Sequence, residues 1–218
     1  YRKSNDKKGE AVALNNLANV YADEGNYAKA IQYYTKSLTI RETLKDEHGI
    51  ASSWVNIGLI YTDMHEFDNA MECFNKSLRL NKKISNKQGI AVSLNGIGNI
   101  YYEKGEIEKA MECYQNSLRE YESIGNVQGI SNSLNSIGNM YFELNKPDTS
   151  LACYLNALKH GELSGDMQLI SHISNNIGKV LMLQKKYGEA NRYCNKALSL
   201  ARQVGAATAQ TVAENVTA

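Results

Sequence analysis

With 218 residues, 43% of them hydrophobic and 22% charged, the chain is long and apolar enough to bury a substantial core, which excludes wholesale disorder. A formal net charge of +1 supplies no field for gathering phosphates, so nucleic acid is not expected as a partner. No apolar stretch approaches the roughly 20 residues of a membrane-spanning helix, so no membrane contact is expected of this stretch.

Tyr1 to Lys8 lead straight into charged residues, with no targeting segment. In the register of the later sequence they align with 121–128, which predicts the end of a second helix from a truncated preceding repeat. From Gly9 a period of 40 takes over: Gly9, Gly49, Gly89, Gly129 and Leu169 open five repeats, 9–48, 49–88, 89–128, 129–168 and 169–208, aligned without insertion or deletion. Within the first repeat Leu14, Leu17, Ala18 and Tyr21 follow the i, i+3, i+4, i+7 spacing of one buried helical stripe. Glu24-Gly25-Asn26 then makes a short turn. Ala30, Tyr34, Ser37 and Leu38, with Leu44 beyond, predict a second and longer helix. The later repeats keep the same columns, among them Leu17, Ile57, Ile97, Ile137, Ile177 and the invariant Leu38, Leu78, Leu118, Leu158, Leu198. Small residues hold two further columns: Ala18, Gly58, Gly98, Gly138, Gly178 and Ala30, Ala70, Ala110, Ser150, Ala190. The turns recur as Lys104-Gly105-Glu106 and Asn145-Lys146-Pro147, where Pro147 fits the first turn of its helix. Residues 209–218 fall where a sixth first helix begins, as a cap or the start of a further repeat. Both ends thus read as internal to a longer chain, so a missing leader says little about the parent.

The second repeat reads Trp54-x2-Ile57-Gly58-x2-Tyr61, then Ala70-x3-Phe74, and so resembles the tetratricopeptide pattern W-x2-L-G-x2-Y followed by A-x3-F. The resemblance covers almost the entire chain. It departs from the family in lacking the proline after the second helix, and in a repeat of 40 rather than 34 residues, for which an extended second helix is expected. This longer form looks like that of spindle-orientation adaptors and of tetratricopeptide regions fused to bacterial signalling proteins. The fold implied is all-α, a right-handed α-solenoid of helix-turn-helix repeats forming one domain. One hairpin cannot cover its own apolar face, so neighbours cover it.

No catalytic or metal constellation is found. Cys73, Cys113 and Cys153 lie 40 apart and Cys194 is displaced by one, so they read as a column of small packing residues rather than a disulfide framework. Equivalent positions of successive repeats should stand about 8–10 Å apart, too far for the roughly 2.3 Å bonds of shared zinc. Without disulfides a reducing compartment such as the cytoplasm is favoured. His48, His65, His160 and His172 fall in different columns and form no zinc-binding pair. Gly96-x-Gly98 sits inside a helix, with its second glycine in a packing column. Nothing nominates a nucleophile. No cofactor, no metal and no enzymatic activity are expected.

Asparagines do stand out. Asn15 and Asn19, Asn95 and Asn99, Asn135 and Asn139, then Asn175 beside Lys179, recur at a spacing of four on one face of the first helices. That face also carries Val12, Ala22, Tyr102 and Phe142. The tetratricopeptide resemblance implies that first helices line a concave groove. Asparagine inside a helix costs several tenths of a kcal/mol relative to alanine, so seven forgo on the order of 4 kcal/mol, which something should offset. Two explanations stand: the amides bind the backbone of an extended peptide, or they bond one another across neighbouring helices. Asp23, Asp63, Glu103 and Glu143 form an acidic rim at the first-helix ends, either solvated or selecting basic and neutral ligands. Val12, Val92 and Gly96 stand where further basic residues would help a chaperone-tail clamp, so none is expected. The functional expectation is a protein-interaction module taking an extended peptide or helix of a partner protein. The alternatives are the sensing region of a larger signalling protein, such as a sensor kinase or transcription regulator, and a scaffold that self-associates through its repeat ends.

Overall fold

One local device, repeated every 20 residues, sets the helix boundaries. The computed structural model describes the backbone of residues 2–217 and the side chains of residues 6–205. Among these described residues there are ten helices and no strand: α1 (Arg2–Asp23), α2 (Tyr27–Thr43), α3 (Glu47–Asp63), α4 (Phe67–Lys83), α5 (Lys87–Glu103), α6 (Ile107–Ser123), α7 (Val127–Glu143), α8 (Pro147–Ser164), α9 (Met167–Leu183) and α10 (Tyr187–Thr217). The side chains of 1–5 and 206–218 lie outside the described residues, and with them most of the two terminal repeat pieces expected above.

A left-handed residue ends α1 to α9 in turn: Gly25, Lys45, His65, Ser85, Gly105, Gly125, Asn145, Gly165 and Lys185, all with φ between 54° and 74°. In the first turn the Gly25 N–H donates to Ala22 O (2.9 Å) and the Asn26 N–H to Tyr21 O (2.8 Å). This double closure satisfies carbonyls that the helix end would leave orphaned. The residue that closes one helix then opens the next. Asn26, Asp46, Asn86, Asn126 and Asp166 are N-caps whose side chains accept the N–H three residues on. Three-residue turns leave α2 to α7 and α9 at 17 residues each, and α8, followed by a turn of two, at 18. The second helix is therefore not the longer one. The period exceeds the family's usual one because both helices of the pair are lengthened, each stopped by the same turn.

Contacts divide the chain into two compact units, Tyr1–Glu120 and Tyr121–Ala218. Each unit is built from helical hairpins, an all-α repeat architecture. Inside a hairpin the small column of the second helix presses on the small column of the first: Ala30, Ala70, Ala110 and Ala190 are all 0% exposed. A buried serine hydroxyl ties the two helices together. Ser37 Oγ donates to Ala11 O (2.7 Å) and Ser117 Oγ to Ala91 O (2.9 Å) in the first unit. Ser131 Oγ donates to Ala157 O (2.7 Å) and Ser171 Oγ to Ala197 O (2.8 Å) in the second.

Between hairpins of the first unit, Leu38 packs with Ile57 and Ile60, and Phe74 with Ile97 and Ile100. In the second, Ile173, Ile177 and Val180 of α9 are fully buried. Leu17 opens the array and is 38% exposed, whereas its equivalents Ile57, Ile97 and Ile177 are buried. Leu198, at the other end of the invariant leucine column, is 50% exposed against 5% for Leu38. No helix among the described residues is long and apolar enough to cross a membrane.

Candidate protein-interaction site

The first helices carry their amides on a face left partly open by packing. Asn19, Asn99, Asn175 and Lys179 are exposed; Asn15, Asn95, Asn135, Asn139, Tyr102 and Phe142 are half-buried. Asp23, Asp63, Glu103 and Glu143 are exposed as the last residues of α1, α3, α5 and α7. A carboxylate at a helix C-terminus opposes the macrodipole, so this rim works against helix stability at four ends. The first unit presents Asn15, Asn19, Asn95, Asn99 and Tyr102 with three of the acids. The second presents Asn135, Asn139, Phe142, Asn175 and Lys179 with Glu143.

The second helix of the hairpin holds the amides in place. Tyr34 Oη donates to Asn19 Oδ1 (2.5 Å), Tyr114 Oη to Asn99 Oδ1 (2.7 Å) and Tyr154 Oη to Asn139 Oδ1 (2.6 Å). These tyrosines are 2–4% exposed, and burial is the main reason the Tyr34 and Tyr114 hydroxyls sit above their usual range, Asp23 adding to the effect at Tyr34. The Tyr34 and Tyr114 hydroxyls are therefore neutral donors. Two of the tyrosines lie against glycine: a Cβ on Gly98 would stand 2.7 Å from Tyr114 Cε1, and one on Gly138 2.6 Å from Tyr154, whereas Tyr34 packs with Ala18.

A second set of bonds runs between successive first helices. Asn56 Nδ2 donates to Asn15 Oδ1 (3.1 Å), and Asn176 Nδ2 to Asn135 Oδ1 (3.1 Å) and Asn139 Oδ1 (3.4 Å). Asn95 Oδ1 is enclosed with no partner. The sequence reasoning missed Asn56 and Asn176, which sit one position after the asparagine column, and the orienting tyrosines. The signal for the tyrosines was present: where Asn19, Asn99 and Asn139 give way to Leu59, the tyrosine fifteen residues on becomes Phe74, without its hydroxyl.

Clefts open on this face. In the second unit one of about 280 Å³ is lined by Asn132, Asn135, Asp166 and His172, and one of about 420 Å³ by His172, Asn175, Asn176 and Lys179 against Cys194 and Leu198. In the first unit a cleft of about 300 Å³ lies among Ser52, Val55, Asn56, Asn81, Asn86 and Val92. Amides line all three. Cys73 and Cys113 are pushed up to about 11 by burial, and Cys153 is raised for the same reason, so these thiols stay protonated. No group of three or more potential metal ligands occurs among the described residues.

Family models described as tetratricopeptide repeat match residues 9–83, 49–123 and 89–162, and another with the same description matches 172–204. No curated protein matches the sequence. Among solved structures the chain is similar to BtubC (BKLC) from P. vanneervenii, with a TM-score of 0.73 at 17% identity over 94% of this chain and 90% of that one. Aspartyl phosphate phosphatase F from Bacillus subtilis aligns with a TM-score of 0.71 at 12% identity, covering 89% and 60%. A Rap protein complexed with competence and sporulation factor aligns with a TM-score of 0.78 at 14% identity, covering 88% of this chain and 54% of that one. At these identities the likeness is one of fold.

Proposed function

Since the chain belongs to the tetratricopeptide repeat family, an interaction-module architecture, we propose that the asparagine face of its first helices holds an extended segment of a partner protein. One observation carries this reading: on each unit a file of amides, which helices disfavour, is held in place, by buried tyrosine hydroxyls at Asn19, Asn99 and Asn139 and by neighbouring asparagines at Asn15 and Asn135. Amides held in one orientation lose little entropy on binding. The file recurs at the repeat interval, matched to a linear ligand rather than a small molecule. The acidic rim excludes acidic segments and favours basic or neutral ones. Val55, Leu59 and Val92 supply an apolar step in the first unit for an aliphatic side chain. The fold neighbour seen in complex with competence and sporulation factor supports the reading by analogy of fold alone.

The test is a displayed library of random peptides panned on the wild-type chain, with the selected peptides then titrated against the Asn95→Ala/Asn135→Ala double variant. Binders are expected, and the double variant, with unchanged circular dichroism, should lose affinity by about tenfold or more, the worth of one or two net hydrogen bonds. If no peptide is selected, or every selected peptide binds the variant as well as the wild type, the assignment of this face is wrong.

A further inference from the structure

We infer that the cleft between α9 and α10 is a small-molecule site for an aromatic carboxylate, whose ring takes the place that a tyrosine side chain fills in other hairpins and whose carboxylate meets Lys179. The site does not depend on the peptide-binding reading.

In three hairpins the second helix sends a tyrosine against the first. Tyr34, Tyr114 and Tyr154 are buried, their rings packed with Ala18, Gly98 and Gly138 and their hydroxyls donating to Asn19, Asn99 and Asn139. Forty residues after Tyr154 stands Cys194, and forty after Asn139 stands Lys179, so the last hairpin has lost the ring, the hydroxyl and the amide together. The thiol keeps only the inner part of the contact, since a Cβ on Gly178 would stand 2.6 Å from Cys194 Sγ. Ala201 is likewise small where Arg41, Asn81 and Tyr121 are large. A turn after each of α2, α4 and α8 lays the next first helix against it, whereas α10 runs on to Thr217. These shortened side chains leave a cleft of about 420 Å³ on the face of the hairpin. Small-molecule sites occupy about 300–1,000 Å³, so this one suits a ligand of one or two fused rings.

The lining selects the chemistry. On the α10 side it is a thiol and the aliphatic groups of Leu198 and Ala201; on the α9 side it carries Lys179 and His172, and no carboxylate lines it. Lys179 is exposed and belongs to no ion pair among the described residues. In the other hairpins a tyrosine hydroxyl donates at this point to an amide oxygen. An ammonium reverses the demand, because it has hydrogens to give and no lone pair to receive one. Whatever fills the ring's place must therefore present an acceptor to Lys179, and an anionic acceptor makes the stronger bond. An aryl carboxylate meets both conditions, the ring lying on the thiol and aliphatic wall and the carboxylate on the ammonium.

The test titrates the wild-type chain calorimetrically with benzoate and 1-naphthoate, and follows iodoacetamide labelling of Cys194 by mass spectrometry with Cys73, Cys113 and Cys153 as internal references. Both acids are expected to bind saturably and to protect Cys194 alone. Acetate, which lacks the ring, and 1-naphthamide, which lacks the charge, should each bind at least about tenfold more weakly than 1-naphthoate. Lys179→Met should weaken 1-naphthoate by about tenfold and leave 1-naphthamide unchanged. Cys194→Tyr refills the cleft and should abolish binding with the helical spectrum intact; if that variant does not fold, Lys179→Met decides. Absence of saturable binding by both acids, equal protection of all four thiols, or 1-naphthoate affinity unchanged by Lys179→Met overturns the inference.

Discussion

A tyrosine hydroxyl and an asparagine amide, each costly to bury or to place in a helix alone, satisfy one another across each hairpin where both occur. The pair spans fifteen residues of sequence and two helices, and the hydroxyl has no water to fall back on. Burial also governs how these residues respond to pH. Tyr34 and Tyr114 are raised above the ordinary tyrosine range by burial first, and Cys73 and Cys113 to about 11 from 9.0, again by burial first. The folded state therefore binds these protons more tightly than the unfolded chain does. The resulting stability is fully present below pH 9 and is lost as pH rises through about 11. Chemical denaturation across this range should show a falling midpoint, and Cys73→Ala should make the fall shallower. A midpoint flat from pH 8 to 11 would contradict the burial of the thiols. At neutral pH the same thiols should react sluggishly with alkylating reagents.

The helices are joined by a compensation that operates pair by pair. At the crossing of a second helix with the next first helix, a large residue eight positions before faces the residue that opens the repeat: Arg41 with Gly49, Asn81 with Gly89, Tyr121 with Gly129. In the fourth repeat the order inverts, with Gly161 and Leu169. Each of the first three crossings thus has room for one side chain; at the fourth a Cβ on Gly161 would meet Ser131 Oγ (3.1 Å), Ile170 and Ile173. Arg41 shows what fills it: its guanidinium donates to Gly49 O (2.6 Å) and Ser53 Oγ (3.0 Å). The inversion predicts a rescue. Gly129→Leu should overpack against Tyr121 and cost about 1–3 kcal/mol. Adding Tyr121→Gly, which recreates the arrangement at 161 and 169, should recover a measurable part of that loss in thermal melts. A double variant no more stable than Gly129→Leu would show that the crossings are not equivalent. The serine clamp inverts too, from Ser37 and Ser117 on second helices to Ser131 and Ser171 on first helices, with alanine opposite each.

At the scale of the molecule, hairpins within each unit contact their neighbours in sequence, and stability should follow as a sum of local terms. Ile173 is fully buried in the second unit. Ile173→Ala should cost about 2–5 kcal/mol. Hydrogen exchange should place most of that loss in α7 to α9, with α3 and α4 close to wild type. An equal rise in exchange throughout the chain would mean that the array unfolds as one cooperative block. Leu17 in one unit and Leu198 in the other stand exposed where Ile57 and Leu38 in the same columns are buried.

The period, the hairpins, the turn positions and the packing columns were legible in the amino-acid sequence because each is a short-range property. An apolar stripe of helical spacing, a left-handed turn residue and an N-cap are decided within a few residues of one another. The length of the second helix was misjudged, since Lys45 and Ser85, which follow α2 and α4, hold the left-handed turn without the glycine that announces it. The direction in which the asparagines point could only come from the tertiary structure. An amide has two nearly isosteric arms, and which one faces outward depends on a hydroxyl brought up from another helix, a choice that no spacing along a single helix encodes.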